Sequence, residues 1–488
     1  MHQRVRIYFG KSLAAALVTV NVAFSQTTVQ PAATRYSLRQ CIDVALQNNL
    51  TVRQSQLNVQ GAELQLRQSK FNRYPSLNAF AAQNLSSGRN INPVTNTFVE
   101  RSVSSNNYQL SSNVTLFNGF ALQNVVRQND LLVQSTEQNL RATQNNVALT
   151  VVSNYLNVLT NSEQLDIARR QVETTRTQVE RTQRLVSAGT LPEANLYDIR
   201  AQLANDELAV VNAQNSVDLA KLALLQTMNV SGVGNTGSFD VERFDLPDPT
   251  VEPYGASVQQ IFETALQSMP EIRAAQLRVR SDAVGVDVAR AALLPTLNLS
   301  GTLNTLFSNV GLQKRFETGS ERIAQTIFFQ GIPQQIFFEQ PTFRFENYTY
   351  GEQLRNNLNR SIGLSLQIPI FNRFQGRNRI TNATINQKTS EIAADQAQLT
   401  LRQNIEQAYT NLIAAGNRFR ATRVQVESLE QAFRASESRL NAGAINTVDY
   451  NIAKNNLDRA RANLVQAKYD YIFRTKILDF YQNKPLSF

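Results

Sequence analysis

The feature that most constrains this chain is a long helical hairpin written twice. Between residues 165 and 186, Leu165, Ala168, Val172, Thr175, Val179, Thr182 and Val186 alternate steps of three and four, which is the seam of a coiled coil. A returning arm repeats the pattern at Ile199, Leu203, Asp206, Val210, Ala213, Val217, Ala220 and Leu224, after a break at Ala188-Gly189-Thr190-Leu191-Pro192. Gly189 suits the end of one helix and Pro192 the start of the next. Adding 254 to each number gives a second seam at Phe419, Thr422, Val426, Leu429, Phe433, Ser436 and Leu440. Its return runs through Ala453, Leu457, Ala460, Leu464, Ala467 and Tyr471, and the break recurs as Ala442-Gly443-Ala444-Ile445. At 1.5 Å per residue, arms of about 65 residues reach roughly 100 Å.

The duplication extends upstream with a different offset. Ser37 is a helix N-cap before Leu38, Ile42, Ala45 and Leu46, and the helix is expected to run to about Asn72, where Tyr74-Pro75 stops it. Ser257 to Leu294 repeats this, with Ala265-Leu266-Gln267 matching Ala45-Leu46-Gln47 at an offset of 220 and a stop at Leu294-Pro295. The change of offset from 220 to 254 places about 34 extra residues between Leu306 and Arg360. The expected organisation is a leader at 1–25, a linker at 26–36, a first repeat at 37–230, a connector at 231–256, a second repeat at 257–482 and a tail at 483–488. Each repeat holds a helix, a β-hairpin (76–118 and 296–371) and a helical hairpin (119–230 and 372–482), and the second β-hairpin carries a long loop at 307–359.

After each proline the period changes from helix to strand. Leu77, Ala79, Ala81, Gln83 and Leu85 alternate with Asn78, Phe80, Ala82 and Asn84, and Tyr108, Leu110, Ser112, Val114 and Leu116 alternate with Gln109, Ser111, Asn113 and Thr115. The second copy places Leu297, Leu299, Gly301 and Leu303, then Ile362, Leu364, Leu366, Ile368 and Ile370, against Asn, Gln, Ser, Thr and Gly neighbours. Strands of about ten residues with one apolar and one uncharged polar face suit a transmembrane β-barrel. A soluble sheet with one face on a core shares the alternation, but the uncharged polar faces and long connections favour the barrel. Aromatic residues crowd the 307–359 stretch, including Phe328, Phe329, Phe337, Phe338, Phe343, Phe345, Tyr348 and Tyr350.

Other classes are excluded by what the chain lacks. Arg4, Arg6 and Lys11 precede an apolar run from Leu13 to Phe24, the layout of an export leader cleaved near Ser25. The sole His, His2, lies within that leader, and Cys41 is the only cysteine, so no His triad, Cys-His couple or thiol metal site is expected. A hydrolase has only carboxylates to work with, and no enzyme activity or cofactor is expected. Scattered basic residues among Asn and Gln argue against nucleic acid as a partner. Four strands cannot close a pore without leaving edges unsatisfied in lipid, so the chain must oligomerise. Dimers of eight strands give a barrel nearly filled by its own side chains, and a conduit needs at least the trimer.

These residues resemble the TolC-like outer-membrane efflux proteins across essentially the whole mature chain. The resemblance is carried by the Ala-Leu-Gln segments followed by Pro75 and Pro295, by Leu116-Phe117-Asn118-Gly119 and Ile370-Phe371-Asn372-Arg373, and by the Ala-Gly tips at 188 and 442. It implies an α+β membrane protein with duplicated helical hairpins and four transmembrane strands per chain. Three copies would close a 12-stranded barrel in outer-membrane lipid of a Gram-negative cell, above a periplasmic helical tunnel. The implied partners are two further copies, a periplasmic adaptor (membrane fusion) protein and an inner-membrane RND or ABC transporter. The implied docking tips are Gly189, Thr190 and Leu191 with Gly443, Ala444 and Ile445. In the tunnel constriction, Asp449 stands where the family has an acid, while Ile452 and Asn195 replace two others. Read from the residues alone, Asp449 is also a first-turn acid favoured by the helix dipole after an Asn446 cap. A coiled-coil envelope protein without a pore is the competing reading of the same pattern.

Overall fold

The helices begin where the sequence supplies caps, and the two copies cap alike. The computed structural model describes residues 35–91, 96, 98–100, 102–230, 239–243, 248–249, 251–310 and 313–484. The leader expected at 1–25 lies outside them, as do most of the linker and residues 485–488 of the tail. Helix α1 (Leu38–Asn48) opens on Ser37, whose hydroxyl accepts from the Gln40 N–H at 3.3 Å while Gln40 Oε1 accepts from the Ser37 N–H at 2.9 Å. Ser257 and Gln260 repeat this capping box ahead of α5 (Val258–Ser268). The expected single helix to Asn72 is instead broken at Asn49, whose extended backbone (ψ 126°) separates α1 from α2 (Leu50–Phe71). The Asn49 carboxamide caps the new helix by accepting from the Thr51 N–H at 2.9 Å. In the second copy the same break falls at Met269, ahead of α6 (Pro270–Arg290), where Pro270 removes an N–H at the first helical position.

Strands β2 (Ser76–Ser86) and β5 (Val103–Phe117) form one antiparallel pair, and β7 (Thr296–Ser308) and β10 (Asn359–Gln367) the other. They join as one all-antiparallel sheet in the order β10-β7-β5-β2. The register puts Leu110 opposite both Ala79 and Leu303, and Leu299 opposite both Val114 and Leu364, so all four strands contribute apolar residues to one face, which also holds Ser112 opposite Leu77 and Arg360 opposite Leu303. Leu116 departs from the expected alternation. A bulge between Thr115 and Phe117 gives Phe117, not Leu116, the place opposite Leu297. Short strands β3 (Arg89–Ile91) and β4 (Phe98–Glu100) lie in the first connection.

The 307–359 stretch, expected as a loop, is mostly regular structure. It holds β8 (Gln313–Phe329) and β9 (Ile332–Asn347), paired as a long ribbon, and the short helix α7 (Tyr350–Asn356).

Helices α3 (Ala121–Ser187) and α8 (Gln375–Asn441) are each 67 residues long, and their returns are α4 (Glu193–Met228) and α9 (Thr447–Tyr481). Every seam position of both hairpins is buried or half-buried, including Asp206. The duplication also reaches the cores. Cys41, Ala45, Val151, Val158 and Leu224 in one cluster correspond to Ile261, Ala265, Ile405, Leu412 and Leu478 in the other. Burial pushes the Cys41 thiol up to about 12. In the connector, β6 (Asp240–Val241) pairs in parallel with β1 (Arg35–Tyr36), and the Tyr155 hydroxyl donates to the Glu242 carbonyl at 2.7 Å.

The strand-to-helix junctions use two left-handed residues in succession. Gly119 and Phe120 have φ of 65° and 64°, and Arg373 and Phe374 have 52° and 60°. Phe120 stacks edge-on with Phe117, and Phe374 with Phe371, at centroid distances of 5.5 and 5.7 Å. A Cβ at Gly119 would lie 2.8 Å from Leu294 Cβ and 3.3 Å from Ala291 Cα. Gly119→Ala is therefore expected to lower stability by more than the ~1 kcal/mol left-handed penalty, because a clash adds to it. Arg373→Gly should raise stability by up to ~1 kcal/mol. Thermal unfolding followed by helical circular dichroism separates the two; a Gly119→Ala melt indistinguishable from wild type contradicts this account.

Candidate functional site

Helix α2 packs on α3, α3 on α6 and α6 on α8, so four helices form a layer in the same order as the strands they adjoin in sequence, β2, β5, β7 and β10. Its two outer members carry uncovered apolar rows. On α2 these are Leu50, Leu57, Leu64 and Phe71, seven residues apart and 57–65% exposed. On α8 they are Ile385, Ile392, Leu399 and, two heptads on, Ile413, at 49–70%. A spacing of seven keeps such residues on one line along a helix, so each row is half of a coiled-coil seam. Covering one Leu or Ile contributes about 1.5–3 kcal/mol. The sheet repeats the situation, because β2 and β10 each have a neighbour on one side only. The far ends match as well: α4 and α8 flank α3 and α9, and Leu208, Val211 and Leu219 of α4 stand 57–63% exposed.

The two hairpin turns are near copies. Gly189 and Gly443 both have φ of 72°, with nothing within 4 Å of a built Cβ. Thr190 N–H donates to the Leu185 carbonyl and Gly189 N–H to that of Val186; Ala444 and Gly443 do the same toward Arg439 and Leu440. These are Schellman motifs, in which glycine takes the left-handed position and the last carbonyls of the helix are satisfied. Gly189, Thr190, Gly443 and Ala444 are exposed, while Leu191 and Ile445 are half-buried. Arg181 hydrogen bonds to Asn441, linking one turn to the other. Asn195 is half-buried, and Asp449 and Ile452 are exposed one turn apart at the start of α9. The Asp449 N–H donates to the Asn446 carboxamide oxygen at 2.8 Å, which makes Asn446 the cap and Asp449 a first-turn acid.

One group of buried, charged side chains was not evident in the sequence. Lys454 on α9 is 4% exposed and reaches Asp206 Oδ2 on α4 at 2.9 Å and Asp458 Oδ2 at 3.1 Å. Asp206 also accepts from Thr175 Oγ1 of α3 at 2.5 Å and from Gln202 Nε2 at 2.8 Å. Asp458 Oδ2 has the ion pair but no donor aligned for a hydrogen bond. The signal available in the sequence was an acid, Asp206, in a seam otherwise made of Ala, Val, Leu and Ile. Because Lys454 comes from the second hairpin, this cluster ties the two hairpins together at one level.

Among the described residues, no three His, Cys, Asp or Glu side chains converge as a metal site. No helix among them is long and apolar enough to cross a membrane.

The family model for outer membrane efflux proteins matches residues 41–230 and 261–475. Protein CyaE of Bordetella pertussis is 27% identical over 215 residues, which is 42% of this chain and 37% of that protein's length. Among solved structures, the outer membrane protein VceC of Vibrio cholerae aligns with a TM-score of 0.71 at 16% identity, over 92% of this chain and 97% of that one. The CmeC outer membrane channel of Campylobacter jejuni aligns with the same score and identity, over 92% of this chain and 87% of that one.

Removing one partner of the Lys454 cluster leaves buried carboxylates unpaired. Lys454→Met should destabilise the protein by about 3–5 kcal/mol. Arg461→Met, which breaks a more exposed pair with Glu430 at 2.7 Å, should cost under about 1 kcal/mol. Urea titration of the helical signal measures both, and equal effects would mean that burial of the cluster is not what gives it weight.

Proposed function

The chain belongs to the outer membrane efflux protein family, and on that premise we propose that it is the outer-membrane channel of a tripartite efflux or type I secretion system. In this reading it is a passive duct. It crosses the outer membrane as a β-barrel and the periplasm as a helical tunnel, and an inner-membrane RND or ABC transporter supplies the energy through a periplasmic adaptor. The observation that carries the proposal is the coincidence of open edges: β2 and β10 in the sheet, and α2 and α8 in the helix layer below it. Strand β10 runs opposite to β2, so β10 of one copy can meet β2 of the next and extend the antiparallel pattern. The same step brings the Ile385-Ile392-Leu399 row toward the Leu50-Leu57-Leu64 row. A repeated head-to-tail contact of this kind closes as a ring.

Three copies supply twelve strands, enough for an open lumen, whereas eight strands leave a barrel filled by side chains. The apolar face of Leu77, Leu110, Leu299 and Leu364 turns to lipid, and the Asn, Gln, Ser and Thr face lines the lumen. With 67 residues, α3 extends about 100 Å from the membrane. A pore-free coiled-coil protein accounts for the hairpins but leaves an exposed apolar sheet unexplained, with Ile362 at 86% and Leu366 at 61%. The exposed turns, Gly189-Thr190-Leu191 and Gly443-Ala444-Ile445, are the surfaces for the adaptor. The constriction of the tunnel lies nearby, at Asn195, Asp449 and Ile452.

Native mass measurement in detergent should give three chains. Leu57→Glu together with Ile392→Glu should convert the trimer to monomers with helical content retained, since both side chains are exposed in the single chain; a monomeric wild-type mass would sink the proposal. Planar-bilayer conductance addresses the constriction. Asp449→Asn should weaken cation selectivity and divalent-ion block, and unchanged values would leave Asp449 as a helix-capping acid alone.

A further inference from the structure

The β8–β9 ribbon pairs with no other strand among the described residues. An isolated two-stranded ribbon is marginal in water and needs a third surface. Its outer half also lacks the charges that keep such a ribbon solvated. From Ile323 to Phe338 no residue is charged, and the boundary is marked by a cross-strand pair, Arg322 with Glu339 at 3.7 Å. The register sets Ile323 opposite Phe338, Gln325 opposite Ile336, Ile327 opposite Gln334 and Phe329 opposite Ile332. One face therefore carries Ile323, Ile327, Phe329, Ile332, Ile336 and Phe338 as an uncharged, mostly apolar strip, with Gln325 and Gln334 set diagonally within it, and five of the six apolar residues are 38–64% exposed.

The root of the ribbon is fixed. Gln353 of α7 is fully buried and holds both the N–H and the carbonyl of Ser308 at the end of β7, at 3.0 and 3.2 Å. Asn357 Nδ2 donates to the Leu306 carbonyl at 2.7 Å, and the Tyr350 and Tyr108 hydroxyls meet at 2.8 Å. The ribbon thus rises between β7 and β10, and β10 is the edge that a neighbouring copy would meet.

We propose that in the assembled channel the three ribbons pack on one another through this strip and cover the outer mouth of the barrel. The inference rests on the trimeric reading above. Its occupant is a second copy of the chain, for three reasons. Seventeen residues at about 3.3 Å reach some 55 Å, whereas twelve tilted strands about 4.8 Å apart close at a radius of only about 12 Å. The strip carries no charge, so identical copies meet without repulsion. Pro333 and Pro341 lie within β9 and cannot donate to the ladder, so their nitrogens face its outer edge. That edge is thereby blunted against open-ended strand addition. Insertion of the bare ribbon into lipid is disfavoured, because its unpaired edges would stay unsatisfied there.

Cys41 is the single cysteine and is fully buried, so Phe329→Cys creates one accessible thiol per chain near the ribbon's tip. The variant is first weighed by native mass spectrometry in detergent and then oxidised with copper-phenanthroline. A trimer that yields mostly disulfide-linked dimer on denaturing gels, unchanged over tenfold dilution, is the expected result. Gln335→Cys, on the opposite face, should cross-link at least fivefold less. Deletion of residues 313–347 should leave three chains per particle, since the ribbon is expected to cover the barrel and not to build it. A trimer without the Phe329→Cys cross-link overturns the ribbon contact while sparing the channel reading, and a monomeric mass overturns both. Quenching by spin-labelled lipid of a fluorophore attached to the new thiol of the Phe329→Cys variant, without cross-linking, would identify lipid as the occupant and also overturn the proposal.

Discussion

The structure depends on one constraint: a strand edge or an apolar helix row must be covered by something. The sheet order β10-β7-β5-β2 and the helix order α2-α3-α6-α8 leave that requirement unmet at both ends of a single chain. A soluble domain would fold its edges under or guard them with charge. Here β10 instead presents Ile362, Leu364 and Leu366 on an open edge strand. Sheet and helix layer are incomplete at the same two ends, so in the proposed ring one rotation between copies covers both together.

Duplication explains why the layers agree. Each repeat contributes one helix before its strands and one after, so the layer takes two neighbouring helices from each repeat, and its edges are α2, before the strands of the first, and α8, after the strands of the second. The repeats share caps and cores but differ at the junctions. Gly119 is required by the closeness of Leu294, whereas a non-glycine residue, Arg373, occupies the same left-handed position in the second copy. The second copy has its own tight contact one turn later, where a Cβ at Gly376 would come within 2.4 Å of Leu293 Cδ2. Close packing between strand end and helix start is kept in both copies even though the residue that permits it has moved.

Much of this was legible in the sequence because long coiled coils bury residues at a fixed period. The seam from Leu165 to Val186 and its return through Leu224 were readable for that reason, as was the four-strand alternation. The break at Asn49 was not, since Asn is neutral within a helix until its carboxamide finds the Thr51 N–H; Pro270, which corresponds to Leu50 at the offset of 220 and follows the Met269 break, held the missing signal. The ribbon read as a loop because phenylalanines occupy both of its faces, Phe328 and Phe337 on one and Phe329 and Phe338 on the other, which erases the period of two. In the sequence Lys454 is one of many scattered basic residues, and only the tertiary approach of α4 to α9 reveals its partner Asp206.

That buried cluster bears on how two long hairpins choose their relative height. An apolar seam is nearly indifferent to sliding by a heptad, since Ala, Val and Leu recur at every turn. Buried charges are not indifferent, because any other register takes Asp206 away from Lys454 and leaves Lys454 only Asp458 of its own helix. Such a cluster adds little to stability over a hydrophobic substitute, and its established use elsewhere is to specify register. At the hairpin turns, where Arg181 meets Asn441, a slip of one heptad would offset the two tips by about 10 Å. Within the chain, Lys454 with Asp206 holds the two turns level, together with Gln202–Asn455 beside it and Arg181–Asn441 at the turns themselves.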